Sequence, residues 1–435
     1  MSVDKRLVVL LLIFFFSKLL IINHPNTTVM DEYYYINHVH ESVFGTYPNR
    51  NTEHPPLAKA FIALGITLFP DFYNVSGDLV TCVGWRIFSI IFGTLTVLLF
   101  YNIVLHYENR DLALLSSVVL CLDNMFYVHT QLALLDPYSL FFMTVSLYLA
   151  LCRKKYSLSA FFLALSCLSK LTGILGFLIL SSFYILHTII KVTRKDLLLL
   201  NLSSLKSLKV PLTNIIKFLF IFSLSFLSLL SITYSILYYN SSIYYIPYNS
   251  MNMEAADVNP IAQTLHMLSY HTKLSYKLYS TWDSPPEYWL HPLHIIQYTN
   301  LTIFKNGFPI GNTVFQYTYI EKYFAQSTPL IATLSLISIP YLVFRVLKHK
   351  ESSSLFFLCW FCFTFFPWLF IHYIQDRITY IFYLFPTIPS IAFANTKLLY
   401  HRKTRTLLYV YILLTAFLFL LFYPVQFRIT GVSSI

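Results

Sequence analysis

Hydrophobic residues make up 57% of the 435-residue chain and charged residues only 11%, against about 25% charged in an ordinary soluble domain. With a mean hydropathy of +0.62, this composition excludes a soluble fold. It predicts an all-α integral membrane protein, because backbone in lipid must satisfy its own hydrogen bonds within helices. The net charge of +11 raises nucleic acid as a partner, and the placement of the charges then excludes it.

A spanning helix needs about 20 mostly apolar residues. In chain order such runs lie near 6–23, 83–105, 112–128, 136–152, 157–170, 172–190, 213–236, 328–346, 354–373, 378–395 and 406–424, which predicts about eleven transmembrane helices. The first lacks a small-residue cleavage site and reads as a retained anchor. The run from Pro56 to Phe69 is too short to span and reads as an interfacial helix. It belongs to a first large loop, 24–82; a second covers 237–327. With the N-terminus in the cytoplasm, the segments on that side hold 19 of the 30 lysines and arginines and only five acids. This is the positive-inside pattern, so the basic balance is a topology signal that needs no nucleic-acid partner. Both large loops then lie outside the cell membrane, as do sequons at Asn26, Asn74, Asn240 and Asn300, a motif common by chance. The six cysteines are scattered; Cys359 and Cys362 form C-W-F-C in an apolar run with no second pair to make a metal site, and read as small hydrophobes.

Asp31-Glu32 follows the first helix. Neighbouring side chains point in different directions, so the two carboxylates cannot share one role: one can act as a base while the other orients it or binds a cation, and a hydrated acid pair is an equal reading. Glu53-His54-Pro55-Pro56-Leu57-Ala58-Lys59 enters the short helix, its prolines suiting a helix start, and Lys59 reads as snorkelling. Arg86, in Trp85-Arg86, is either a headgroup anchor or a phosphate ligand, because guanidinium matches phosphate geometry. Asp123 and Asp136 lie near helix ends, and intramembrane acids are functional candidates. Asp136 before Pro137 also makes a good N-cap. Lys170 between two apolar runs is costly unless it faces a polar site. Arg377, Tyr380, Tyr383 and Pro386 recur every third residue, a spacing that keeps them near one helix face. All the ionisable candidates map to the outer side, where a lipid-linked phosphate donor and a polar acceptor meet.

In these residues the chain resembles the dolichyl-phosphate-mannose protein O-mannosyltransferase family. The resemblance rests on Asp31-Glu32, on His54-Pro55-Pro56 through Lys59, on Trp85-Arg86, on Asp123-Asn124 with Leu134-Leu135-Asp136, and on Ser169-Lys170, in that order. The second half matches more loosely: Ser284 to Leu293 is similar to the family's tryptophan-rich stretch, Gly311-Asn312 to its G-N-P, and Arg377 through Pro386 to its Arg-led motif, with Tyr383-Leu384 where His-Tyr is usual. The second loop has no room for the extra carbohydrate-binding-like domain of eukaryotic members, which points to a compact prokaryotic relative.

The resemblance implies a C-type glycosyltransferase membrane fold and an inverting transfer of mannose from a dolichyl (polyprenyl) phosphate to Ser or Thr hydroxyls of proteins. It implies Asp31 as general base and Glu32 as the group that orients acceptor or sugar. His54, Lys59, Arg86, Asp123, Asp136, Lys170, Arg377 and Tyr380 fall to the donor phosphate and substrate. The leaving phosphate needs cations, Arg86 and Arg377 first and Lys170 after them, and the acceptor hydroxyl needs one base. No cofactor or metal is required, although an acid pair can hold a divalent ion. Two competing readings are a related transferase with a lipid or glycan acceptor or another sugar, and a secondary transporter; only ten glycines and charges near one face weigh against the latter. A scaffold without chemistry is a third.

Overall fold

The structure, a computed structural model, describes residues 4–43, 51, 53–73, 79–195, 216–232, 260–273, 284–291, 297–310, 313–401 and 404–434. Helix α1 (Lys5–Leu19) starts at Asp4, whose carboxylate accepts from the Arg6 N–H. The helices that follow are α2 (Glu32–Val43), α3 (Leu57–Leu68), α4 (Val83–Tyr107), α5 (Arg110–Cys121), α6 (Asn124–His129), α7 (Asp136–Cys152), α8 (Tyr156–Ser169) and α9 (Leu175–Lys195). The second half adds α10 (Ile216–Ile232), α11 (Pro260–Lys273), α12 (Pro329–His349), α13 (Ser352–Ile374), α14 (Ile388–Leu399) and α15 (Arg405–Leu421).

Among the described residues, four helical stretches are long and apolar enough to cross a membrane: Val83–Tyr107, Leu171–Ile190, Pro329–His349 and Ser352–Ile374. Several expected spans prove shorter or broken. The run near 112–128 splits at Asp123, whose carboxylate leaves the helix to cap α6 by accepting from the Phe126 N–H. The run near 378–395 begins as a 3-10 helix, Ile381–Thr387, before α14. Lys170, with extended backbone, separates α8 from a 3-10 turn, Leu171–Ile174, that leads into α9.

The all-α expectation also needs correction. The second loop and the chain's end form a three-stranded antiparallel sheet of Gln297–Ile310, Thr313–Phe324 and Val425–Ser434, with Thr313–Phe324 in the centre. Apolar and polar residues alternate there, as in Val425-Gln426-Phe427-Arg428-Ile429-Thr430, the period of a half-covered strand. A two-stranded ribbon, Phe72–Tyr73 with Leu79–Thr81, lies in the first loop. Asn74, Asn240 and Gly311-Asn312 lie outside the described residues, as does much of 237–327.

Two helix contacts place the candidate residues. Helix α3 lies against the start of α4 at Gly65 and Gly84, where a Cβ on either would collide with the other's backbone carbonyl; only glycine permits that approach. Aromatic rings from α3, α4 and α7 then interlock, with Phe61 stacked on Tyr138 at 5.9 Å and Phe92 on Phe141 at 4.7 Å.

Candidate active site

Asp31 and Glu32 diverge. Glu32 is fully buried and receives Arg86 Nε at 2.9 Å and Nη2 at 2.8 Å, the Val29 N–H at 2.9 Å and the Ala133 N–H at 2.7 Å. Arg86, 0% exposed, gives its remaining donors to the carbonyls of Ile22, His24, Pro25 and Thr27. Every N–H of the guanidinium is occupied. The expectation that Arg86 binds a phosphate and that Glu32 orients a substrate is therefore corrected: together they brace the loop from which Asp31 projects.

Asp31 itself is half-buried at the turn into α2. The preceding Met30 is a non-glycine residue in the left-handed region (φ 54°), a conformation that the Glu32–Arg86 cage must hold against its intrinsic cost. Burial raises the Asp31 carboxyl to about 6; Lys170 opposes that shift, and Asp136 and Glu53 reinforce it. The Tyr35 hydroxyl, one turn along α2, bonds to the same carboxylate.

Lys170 meets both oxygens of Asp136 at 2.8 Å and lies 5.2 and 5.8 Å from the ring centres of Phe382 and Tyr383. The lysine that looked solitary in sequence is an ion-paired, aromatic-flanked cation. Asp136 is the first residue of α7 rather than its cap, which is Leu135. Arg377 follows a second left-handed non-glycine residue, Asp376 (φ 49°). Its Nη2 meets His271 Nδ1 at 3.3 Å, and the guanidinium lies 5.8 Å from the Trp368 ring centre and 5.7 Å from that of Tyr383. Tyr383 stacks on Trp368 at 4.0 Å and feels both Asp31 and Asp136. Tyr380 stacks on Phe382 at 5.1 Å. The three-residue spacing is realised in the 3-10 helix, which has about three residues per turn and carries Tyr383 and Pro386, while Arg377 and Tyr380 precede it.

His54 joins the cluster with its ring 5.2 Å from that of His271 and 5.9 Å from that of Tyr35. Burial, then His271, holds its imidazole well below the usual range, with Lys170 and Arg377 adding to the effect. Lys59 does not snorkel. At 2% exposed it donates to the carbonyls of Asn51 at 2.5 Å and His54 at 3.0 Å, and burial lowers it to about 7; it shapes the loop carrying His54. Asp123 is likewise structural: besides capping α6 it accepts from the Ser327 hydroxyl and the Thr328 N–H, joining α6 to the end of the second loop.

The cluster thus gathers Asp31, Tyr35, Glu53, His54, Asp136, Lys170, His271, Arg377 and Tyr383, and sets Glu32, Lys59, Arg86 and Asp123 beneath or beside it. His271, Tyr35 and Trp368 were not singled out from the sequence. Tyr35 carried a signal, standing one helical turn after Asp31; His271 lies over 200 residues from its partner Glu53 and carried none. Ser284 to His291 acts as a strut: the Ser284 N–H donates to the Thr379 carbonyl, and the Ser284 carbonyl accepts from the Thr379 hydroxyl at 3.0 Å and from Trp289 at 2.8 Å. Among the described residues no group of three or more His, Cys, Asp or Glu is arranged to hold a metal. Chemically, the cluster offers one carboxyl that titrates near 6 and two cations, one paired with Asp136 and one against a neutral imidazole.

Residues 8–239 match the family model of dolichyl-phosphate-mannose-protein mannosyltransferases. No curated protein matches the chain in sequence. Among solved structures, the Saccharomyces cerevisiae protein O-mannosyltransferase Pmt1–Pmt2 complex bound to the sugar donor is similar, with a TM-score of 0.67 at 12% identity, covering 98% of this chain and 90% of that one. ArnT from Cupriavidus metallidurans bound to undecaprenyl phosphate gives 0.54 at 15% identity, covering 93% and 61%. The Archaeoglobus fulgidus oligosaccharyltransferase AglB, in complex with an inhibitory peptide and a dolichol-phosphate, gives 0.51 at 12% identity, covering 95% and 55%. The fold is that of C-type membrane glycosyltransferases, and this chain spans little more than half of the latter two proteins.

Proposed function

Because the chain belongs to the dolichyl-phosphate-mannose-protein mannosyltransferase family, we propose that it transfers mannose from a dolichyl or polyprenyl phosphate to Ser or Thr hydroxyls of proteins at the extracytoplasmic face of the cell membrane. The observation that carries this reading is the convergence of Asp31 with Lys170, Asp136, His54 and Arg377 from five separate stretches of chain. Asp31 takes the proton of the acceptor hydroxyl while the acceptor oxygen bonds to the anomeric carbon. The bond from that carbon to the phosphate oxygen breaks, and the phosphate leaves on its lipid. Arg377, with Lys170 beside it, meets the charge that grows on the leaving phosphate. One base suffices because the displacement is direct and inverts the anomeric centre, in contrast to retaining chemistry with a second carboxylate as nucleophile. Asp136 holds Lys170 in place, and Tyr380 with Phe382 and Tyr383 forms the apolar wall beside it. The scheme uses no metal or cofactor.

The test is purified enzyme in lipid nanodiscs with labelled dolichyl-phosphate mannose and a Ser/Thr peptide. Asp31→Asn is expected to lose at least about 100-fold in turnover, the scale of general-base catalysis, with an unchanged melting profile or a more stable one. Undiminished transfer by that variant would remove Asp31 from the base role. Label appearing in lipid or glycan and never in peptide would move the acceptor to the other branch of this fold.

A further inference from the structure

Arg377 is the site's cation whose partners are neutral. Among the described residues none of the ion pairs involves it. Its Nη2 instead lies 3.3 Å from Nδ1 of His271. A guanidinium can only donate, so Nδ1 is the acceptor. The opposite ring nitrogen, Nε2, lies 3.1 Å from the carbonyl oxygen of Glu53. A carbonyl can only accept, so Nε2 carries the proton. The two contacts dictate one tautomer of an uncharged imidazole.

The position of His271 matters as much as its state. It sits near the C-terminal end of α11, within the second loop, while Glu53 and His54 belong to the first and Arg377 follows α13. His271 therefore touches two distant parts of the chain at one ring and joins them to the second loop. The inward face of α11 is anchored by buried Met267.

This inference rests on the phosphate role given to Arg377 above. We propose that His271 is the positioning residue for Arg377: an uncharged acceptor, delivered by the second loop, that aims the guanidinium at the donor phosphate and leaves its full charge available. A carboxylate at this place would hold the arginine as firmly but would compete with the phosphate for it. Burial first, and Arg377 next, lower His271 to about 4, the Glu53 carbonyl opposing them and Lys170 adding to them. With His54 beside it also held neutral, the imidazole keeps its acceptor nitrogen throughout the neutral range.

The experiment measures equilibrium binding of dolichyl phosphate alone, together with kcat and the two KM values for dolichyl-phosphate mannose and peptide, in wild type and four variants. His271→Ala is expected to weaken dolichyl phosphate binding roughly tenfold, the worth of one hydrogen bond to a charged group, and to lower kcat/KM for the donor by at least as much, with the peptide KM within about twofold. His271→Asn and His271→Asp form an isosteric pair that answers even if the alanine variant fails to fold. Asn restores a neutral acceptor and is expected to recover most of the binding, whereas Asp is expected to bind more weakly than Asn by at least about tenfold. An alanine variant that folds and binds like wild type, or an Asp variant that binds as well as Asn, overturns the inference. Arg377→Ala separates the two levels. If it abolishes dolichyl phosphate binding while the His271 variants bind normally, only the role of His271 falls. If it binds normally, the phosphate role of Arg377 falls and this inference falls with it.

Discussion

Burial, before any charged neighbour, lifts the Asp31 carboxyl to about 6, and this sets two measurable consequences. A base must be ionised to accept a proton, so kcat/KM, which reports the free enzyme, is expected to fall about tenfold per pH unit below 6 and to level off above it, as a pH–rate profile at donor and peptide concentrations below their KM would record. A profile flat from pH 5 to 8 would sink the assignment. The stability consequence has a definite sign. The folded carboxyl holds its proton more tightly than the unfolded one, so the stability this gives is complete below about 4 and is lost as pH rises through about 6. Asp31→Asn is therefore expected to melt at a higher temperature than wild type above pH 6 and to show no such gain near pH 4. Arg86 behaves in the opposite way. Arg86→Ala leaves Glu32 as an uncompensated buried charge, and the expected loss is about 3–5 kcal/mol, read as reduced folded yield and a lowered melting temperature. The sequence showed which acids and bases lie at one end of the molecule, and the divergence of Asp31 from Glu32 followed from their adjacency. That Arg86 is committed to bracing the loop was not legible, because the cage around it is built from the carbonyls of Ile22, His24, Pro25 and Thr27, whose directions depend on the path of a loop and not on its side chains.

Among the elements, strong apolar periods were readable and interruptions were not. Helix α7 occupies 136–152 as expected, and α8 and α13 fall within a residue or two of theirs. Asp123 breaks the third run by capping a new helix, a choice that depends on Ser327 and Thr328, more than 200 residues away in sequence. The sheet was missed although its alternating pattern was present, because membrane composition biased the reading toward helices. The most exacting contact between elements is that of α3 with α4. At Gly65 and Gly84 the obstacle to a methyl group is backbone, which cannot rotate away, so Gly65→Ala is expected to force α3 off α4. The expected cost is about 1–3 kcal/mol, the range for overpacking, measured as a drop in melting temperature. Because the loop leading into α3 carries His54, transfer activity is expected to fall along with stability. Full activity in a stable Gly65→Ala protein would mean that α3 does not need this approach.

Over the whole molecule, four of the basic residues that the charge pattern assigned to one side of the membrane, Arg6, Arg345, Lys397 and Arg405, are tied into ion pairs. Arg6 and Arg405 both reach Asp111, and Lys397 joins Glu108 at 2.6 Å to Glu351 at 2.9 Å, with Arg345 on the other side of Glu351 at 3.1 Å. Helix α4 separates this network from the candidate active site: Arg86 stands in its first turn and Glu108 caps its far end, about 33 Å apart at 1.5 Å per residue. The number of spans was less legible, since helix breaks at the site shorten several runs below what composition alone requires of a span. The far network has its own pH signature. Burial would raise Glu351, but hydrogen bonds from Arg345, Ser354 and Lys397 outweigh it and lower the carboxyl to about 2. The stability this gives is present above the ordinary glutamate range near 4.5 and is lost as pH falls toward 2. Glu351→Gln is expected to melt below wild type at pH 7 and to converge with it as pH approaches 2, while the pH–rate profile keeps the midpoint near 6 that belongs to Asp31. A midpoint that moved with Glu351 would mean that the two ends of α4 are electrostatically coupled. Over some 33 Å, several times the distance at which salt screens exposed charges, no such coupling is expected.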